Sequence, residues 1–93
     1  MARYDGRVDL SSRRPDIDYP CIWSYQVIGT SEEAVRAAIA EAVPDREHTV
    51  TLTNTSRTGK YSSLLLEIEV ESEAQRLTIF YRIAEHDDVR MVI

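Results

Sequence analysis

The sequence contains very little cysteine, which excludes a disulfide-stabilised fold. Cys21 is the only cysteine among 93 residues, so no intrachain disulfide can form and a reducing compartment such as the cytoplasm is expected. Long apolar runs are also absent. The longest run of Leu, Ile and Val residues is the three leucines at 64–66, and residues 1–20 contain no apolar stretch typical of a signal-peptide core. We therefore expect a protein that is neither inserted into a membrane nor exported.

Positive charge is in the minority. Eleven Lys and Arg residues stand against 16 Asp and Glu residues, which gives a net charge of -5. A surface with this balance does not attract phosphate backbones or anionic lipids in general, so nucleic acids and membranes are not expected partners. The chain is 43% hydrophobic and 29% charged, which is typical of a folded globular protein, and its length suits a single core.

The first 18 residues differ in character from the rest. They mix four Arg with four Asp, together with Gly6, Ser11, Ser12 and Pro15, and show no helical or strand period of apolar residues. We predict a flexible N-terminal segment over 1–18 and one folded domain over 19–93.

Four segments of the domain alternate between apolar and polar side chains, which is typical of strands with one buried face. These predicted strands cover residues 21–29, 47–56, 61–70 and 89–93. A glycine-containing turn at 57–60 joins the second and third into a hairpin. The apolar side chains predicted to form the buried face of the first and third strands are Trp23, Tyr25, Val27, Leu64, Leu66, Ile68 and Val70.

Two segments have the capping and periodicity of helices. Thr30 followed by Glu33, and Ser72 followed by Gln75, have the spacing of capping boxes, with Thr30 and Ser72 as the N-caps. Apolar residues then recur at spacings of three and four, and Pro44 ends the first pattern. Helices are predicted over 31–43 and from 72 to about 85.

The element order is therefore β-α-β-β-α-β, which predicts an α+β, ferredoxin-like sandwich. A four-stranded antiparallel sheet in the order 4-1-3-2 carries both helices on one face. In this arrangement the end of the first strand, the start of the first helix and the 57–60 turn lie at one end of the sheet. His48 lies at the other end.

Three blocks of the sequence match a known family: 19–29 with Tyr19-Pro20 and Val27-Ile28-Gly29, the segment 56–63, and the closing residues 89–93. They resemble the YbeD-like family of small, uncharacterised bacterial proteins. The resemblance implies a ferredoxin-like domain similar to the ACT regulatory domains, which bind small ligands and often pair through their sheets. Gln26 and Thr58 depart from the family pattern, in which basic residues are common at both positions.

The end of the sheet that carries the 57–60 turn is a candidate anion site. Free amides and the dipole of a helix N-terminus favour anions, and two cationic side chains project from the turn. The structural alternative is that Gly59 supplies a positive φ and Lys60 is simply solvated. The predicted site consists of Gly29, Thr30, Ser31, Arg57, Gly59 and Lys60.

The face of the sheet opposite the helices is a candidate association surface. Several apolar residues are expected there among threonines, and four on adjacent strands could support a weak homodimer or a contact with a partner protein. The apolar side chains assigned to this face are Ile22, Ile28, Leu65 and Val92.

Other chemistries have weak signals. His48 and His86 fall at opposite ends of the predicted fold and cannot share a metal ion, and Ser62 and Ser63 lack a neighbouring histidine. A phosphate-binding P-loop is absent, because Asn54 and Tyr61 occupy two of its required positions.

Recognition of RNA by aromatic stacking is also weakly supported. It needs aromatic residues at alternate positions of the third strand, where Ser63, Leu65, Glu67 and Glu69 stand. We expect a non-catalytic regulatory or adaptor module that binds a small anionic metabolite or a protein partner, without a cofactor or metal. The alternatives are an enzyme with a weakly signalled site and, less favoured, RNA binding.

Overall fold

Two helices cover one face of a four-stranded sheet in the computed structural model, which describes residues 17–93. The predicted flexible segment, 1–18, therefore lies outside the described residues except for Ile17 and Asp18. The elements follow the predicted order: β1 (Cys21–Gly29), α1 (Glu32–Ala42), β2 (His48–Thr55), β3 (Ser62–Val70), α2 (Glu73–Ala84) and β4 (Val89–Val92).

The sheet has the order β2-β3-β1-β4, which is the predicted order 4-1-3-2 read from the other edge. β1 lies inside the sheet and pairs antiparallel with β3 along its whole length, from Cys21 opposite Val70 to Gly29 opposite Ser62. All three strand pairs are antiparallel. The predicted ferredoxin-like fold is confirmed.

The core lies between the sheet and the helices. Alternate residues of β1 and β3 point into it, because successive side chains of a strand point to opposite faces. Trp23 packs against the core at its edge, where it is half-buried, and Tyr25 is buried within it, as predicted. The largest fully buried side chains are Tyr25, Val27, Val35, Ile39, Leu64, Leu66, Ile68, Val70 and Ile83.

The start of α1 differs from the prediction by one residue. Ser31, not Thr30, is the N-cap, and its Oγ accepts a hydrogen bond from the Ala34 amide at 3.1 Å. Thr30 is held by the turn before β4 instead, since its amide donates to the Asp88 carbonyl at 3.0 Å. Thr30 and Ser31 both have a hydroxyl group that could cap the helix. Because Thr30 is bound to Asp88, Ser31 is the residue that caps it.

The N-cap of α2 is as predicted. The Ser72 Oγ accepts from the Gln75 amide at 3.1 Å, and the Gln75 side chain in turn accepts from the Glu71 amide at 2.8 Å. Both partners of the predicted capping box therefore bind free amides at the helix start, which stabilises it.

A bulge in β4 overturns one predicted side-chain direction. Gly29 pairs with Val89 but Ile28 pairs with Met91, so β4 contains one extra residue, Arg90. Such an insertion reverses the alternation that follows it. Val92 was predicted on the open face, and this is wrong: it lies opposite Val27 and packs against the core, while Met91 takes the open face.

Gly29 is required by close packing at the junction of β1, α1 and β4. A Cβ atom added there would lie 2.5 Å from Val35 Cγ2 and 2.6 Å from the Asp88 carbonyl oxygen. Gly59 is needed for a different reason. It adopts a φ of +74° in the β2–β3 turn, where an added Cβ meets no atom within 4 Å.

We predict that Gly29→Ala lowers the free energy of unfolding by about 3 kcal/mol, the upper end of the cost of overpacking, because one of the two clashing atoms belongs to the backbone. Gly59→Ala should cost only about 1 kcal/mol, the conformational penalty of the left-handed region. Gly59→Asn should cost less than Gly59→Ala, since asparagine tolerates this region. Urea unfolding of the three variants measures the order, and an equal loss at both glycines would contradict it.

Candidate functional site

The predicted anion-site residues do share one end of the sheet. The strand register places Gly29 beside Ser62 and Ser62 beside Thr55, so the β2–β3 turn and the start of α1 lie at the same end. The turn is closed by a hydrogen bond from the Gly59 amide to the Ser56 carbonyl, at 2.9 Å. The Tyr61 amide also donates to the Ser56 Oγ, at 3.1 Å.

These residues form two separate groups at that end. Arg57 and Lys60 are exposed and make no ion pair with any residue between 17 and 93. The helix start, in contrast, already has acceptors: Ser31 caps it, and the Thr30 hydroxyl lies 3.4 Å from an Asp88 carboxylate oxygen. Acidic residues in the first turn of α1 further reduce the attraction of this helix end for an anion.

The open face of the sheet carries a contiguous group of apolar side chains, the apolar patch, formed by Ile28, Leu65, Met91 and Ile93. Ile28 lies opposite Met91, while Leu65 and Ile93 lie on either side of Gln26. Met91 is 53% exposed and Ile93 is 70% exposed. The patch therefore presents two well-exposed apolar side chains to solvent, with the half-buried Ile28 and Leu65 beside them.

Ile22, the remaining residue predicted on this face, is 66% exposed but does not belong to the apolar patch. It lies opposite Glu69 near the far end of the sheet, and Ser24, opposite Glu67, separates it from Gln26. The open face thus has an apolar half near β4 and a polar, acidic half near the start of β1.

A polar cluster borders the apolar patch. The Gln26 Nε2 donates to Thr53 Oγ1 at 2.8 Å and to Ser63 Oγ, and Thr53 Oγ1 donates to the Ser63 carbonyl at 2.8 Å. A bulge between Leu52 and Asn54 lies at the position of Thr53. The cluster fixes three strands side by side across the open face. Sequence reasoning missed it because the bulge leaves no local signal.

The described part of the chain contains no metal centre and no membrane-crossing helix. Between residues 17 and 93, no three His, Cys, Asp or Glu residues are grouped so that they could hold a metal ion. Neither α1 nor α2 has the length and apolar character needed to cross a bilayer. His48 Nδ1 lies 2.7 Å from the Arg46 carbonyl, and His86 Nδ1 accepts from the Asp88 amide at 3.3 Å.

The comparison with protein families is decisive for identity. Residues 14–93 match the family described as protein of unknown function (DUF493). The chain belongs to the DUF493 family. Among its relatives, an uncharacterized protein of Helicobacter pylori is 33% identical over 78 residues, which cover 84% of this chain and 91% of the relative. A UPF0250 protein of Hahella chejuensis is 29% identical over 91% of this chain and 98% of the relative.

Solved structures place the DUF493 domain among ACT-like folds. The solution structure of protein HP0495 from H. pylori superposes with a TM-score of 0.76 at 30% identity, covering 96% of this chain and 98% of that one. The ACT domain from the GTP pyrophosphokinase of Chlorobium tepidum superposes with a TM-score of 0.60, covering 80% and 96%. That likeness, at 13% identity, shows the fold alone. The predicted resemblance to the YbeD-like family and to ACT domains is confirmed.

An arginine surrounded by aromatic residues ties the segment before β1 of this DUF493 domain to α2. The Arg76 guanidinium carbon lies 4.6 Å from the centroid of the Trp23 ring, and its Nε donates to the Tyr19 hydroxyl at 3.1 Å. The Tyr25 hydroxyl donates to the Arg76 carbonyl at 2.6 Å. A guanidinium over an aromatic face is attracted by the ring quadrupole, so the cluster stabilises the fold.

Between residues 17 and 93, two groups have clearly shifted pKa values, and both belong to this cluster. Burial raises the pKa of Tyr25 to about 12, and the positive charge of Arg76 only partly opposes that rise. The hydrogen bond to Tyr19 raises the pKa of Arg76 further. Since the shifted groups contact each other and pack Trp23, we interpret the cluster as structural.

We predict that the stability of the domain falls between pH 10 and about 12 because of Tyr25. The unfolded chain loses the phenolic proton near pH 10, whereas the folded chain keeps it to about 12, so the contribution of Tyr25 is complete below the first value and lost towards the second. In Tyr25→Phe the free energy of unfolding should therefore decrease less over this interval. Tyr61→Phe, at an exposed position, is the control, and equal slopes for wild type and Tyr25→Phe would contradict the prediction.

Proposed function

We propose that this DUF493 domain is a non-catalytic regulatory or adaptor module that binds a partner protein through the open face of its sheet. The observation that carries the proposal is the apolar patch, which the two helices leave uncovered. It contains Met91 and Ile93, two large apolar side chains that are more than half exposed. Contiguous exposed apolar surface of this kind is typical of protein interaction sites.

The size of the patch favours a reversible contact. Full burial of one exposed Met or Ile side chain contributes about 1.5–3 kcal/mol, and association costs at least about 4 kcal/mol in lost translational and rotational freedom. Burial of Met91 and Ile93 alone would do little more than offset that cost. Affinity therefore depends on Leu65, Ile28 and the polar cluster as well, and a weak, regulated contact fits better than a permanent one.

Two observations support a non-catalytic role. The rings of His48 and His86 contact backbone groups, and His86 also lies 3.7 Å from a Glu41 carboxylate oxygen and 3.9 Å from one of Asp88. Within residues 17–93, neither ring is hydrogen-bonded to a hydroxyl or thiol in the way an activated nucleophile requires. The groups with shifted pKa values belong to the Arg76 cluster, whose contacts are those of packing. The similarity of fold to an ACT domain is compatible with a regulatory module.

We predict that the domain forms a weak homodimer through the apolar patch. The mass measured by light scattering should rise with protein concentration, and Leu65→Glu or Met91→Glu should abolish the rise because a carboxylate would be buried against apolar groups. Ile22→Glu, outside the patch, is the matched control. Association that persists in both patch variants would contradict an interface on this face.

A photoreactive side chain tests for a different partner. Introduced at Met91 in the native host, it should cross-link a defined protein or a second copy, whereas the same group at Ala37, exposed on α1, should not. A wild type that stays monomeric at the highest concentration, together with equal or absent cross-linking at the two positions, would overturn the proposal.

The end of the sheet that carries the 57–60 turn and the start of α1, the hairpin end, gives a separate prediction of anion binding. Arg57, which no residue between 17 and 93 pairs with, offers a fork of donors for a carboxylate, and Lys60 adds a point charge. Asp88 and the acidic first turn of α1 oppose binding. Titration with citrate should shift the amide signals of residues 30, 31 and 57–60, weakly and with loss at high salt. The shifts should disappear in Arg57→Ala, and shifts that survive this substitution would exclude the site.

A further inference from the structure

A cavity of about 420 Å³, widely open to solvent, lies between α1 and α2 on the helical side of the domain. We name it the interhelical cavity. Its buried lining is apolar and consists of Ala42, Val43 and Ile79. The volume falls in the range of about 300–1,000 Å³ that small-molecule sites occupy.

The cavity results from the way α1 ends. The helix stops at Ala42, and Val43 closes it with an amide hydrogen bond to the Ile39 carbonyl, at 3.0 Å. Pro44 follows, and a proline shortly after a helix end cannot continue it. The chain turns away towards β2, so α2 lacks a neighbouring helix beside Gln75 and Thr78, which line the cavity.

The polar groups around the cavity are mainly donors. Arg82 lines it and makes no ion pair or hydrogen bond with any residue of the described range, 17–93. Arg46 lines the cavity as well. One of its N–H groups donates to the Glu69 carbonyl, and its other donors can bind a ligand. The Gln75 oxygen already accepts from the Glu71 amide, so its NH₂ group is the part left to bind a ligand.

Three carboxylates oppose these donors. Asp45 lines the cavity, and Glu41 and Glu85 line a neighbouring depression that Arg82 also lines. They reduce the positive potential, so a dianion such as phosphate is disfavoured relative to a monoanion. A single carboxylate matches the two parallel N–H bonds that a guanidinium offers. The apolar lining then requires that the rest of the molecule be aliphatic.

We propose that the interhelical cavity binds a small aliphatic monocarboxylate, with its carboxylate on Arg82 and its hydrocarbon part on Ala42, Val43 and Ile79. This site is distinct from the apolar patch and from the hairpin end, because its lining residues belong to the helices and to the loop after α1. The domain would then have two binding sites: one for a small molecule beside the helices, and one for a protein on the open face of the sheet.

The test is a titration of the full chain with three probes, followed through backbone amide signals at constant ionic strength. The probes are 3-methylbutanoate, acetate, which lacks the apolar body, and 3-methylbutan-1-ol, which lacks the charge. We expect 3-methylbutanoate to shift the signals of Ala42, Val43, Gln75, Thr78 and Ile79, with an affinity about tenfold or more above that of either other probe.

Variants at exposed positions separate the site from general effects. Arg82→Gln should weaken 3-methylbutanoate binding about tenfold or more, and Arg82→Lys, which keeps the charge but not the fork, should weaken it by a smaller factor. Arg36→Gln, an exposed arginine of α1 paired with Glu32 at 2.9 Å, should leave binding unchanged.

Three results would overturn the inference: no shifts at the cavity with 3-methylbutanoate, equal responses to all three probes, or binding unaffected by Arg82→Gln. Shifts that cluster at residues 57–60 instead would assign the anion to the hairpin end. The outcome is independent of the proposed function, which depends on Leu65 and Met91.

Discussion

The fold depends on the pairing of β1 with β3. Nine consecutive residue pairs, from Cys21 with Val70 to Gly29 with Ser62, hold the two central strands in one register. Both strands alternate between buried and exposed residues, so a slip by one position would turn every core side chain to solvent. This register also sets the other elements in place. It brings the hairpin turn level with the start of α1, and it aligns Gln26 with Leu65 and Ile93, where the polar cluster and the apolar patch meet.

Much of this architecture could be predicted from the sequence because it depends on local and periodic signals. Alternation identified the strands, the spacing of Ser or Thr from Glu or Gln located the helix starts to within a residue, and the element order left few topologies to consider. The sequence did not reveal where the strands depart from strict alternation of inward and outward side chains. Nothing in the sequence around Arg90 or Thr53 indicates a bulge, since a bulge arises when two strands of unequal local length must keep their register. The wrong direction predicted for Val92 follows from that alone.

The sites were less predictable than the fold, because their chemistry depends on contacts between residues far apart in sequence. The hairpin end was located correctly by topology, but the placement of Asp88 on Thr30, 58 residues away, changes its electrostatics. The contacts of Arg76 with Tyr19 and Tyr25 span 57 and 51 residues. The interhelical cavity was equally hard to predict. Pro44 predicts the end of α1, but only the packing of the helices shows that Arg82 lines the space beside that end. Periodicity predicts which side of a helix or strand is buried, but it does not predict which charged residues of other elements lie next to it.

The bulge in β4 also affects how the open face of the sheet can change between related sequences. Because one inserted residue separates the inward Val89 from the outward Met91, a regular strand that kept Arg90 would carry Met91 into the core position and turn Val92 outward. Loss of the bulge without loss of a residue would thus change the binding face while keeping the same amino acids and the same strand order. A surface built on a bulged edge can therefore change by a local shift of register, a route that is closed to the regular ladder between β1 and β3.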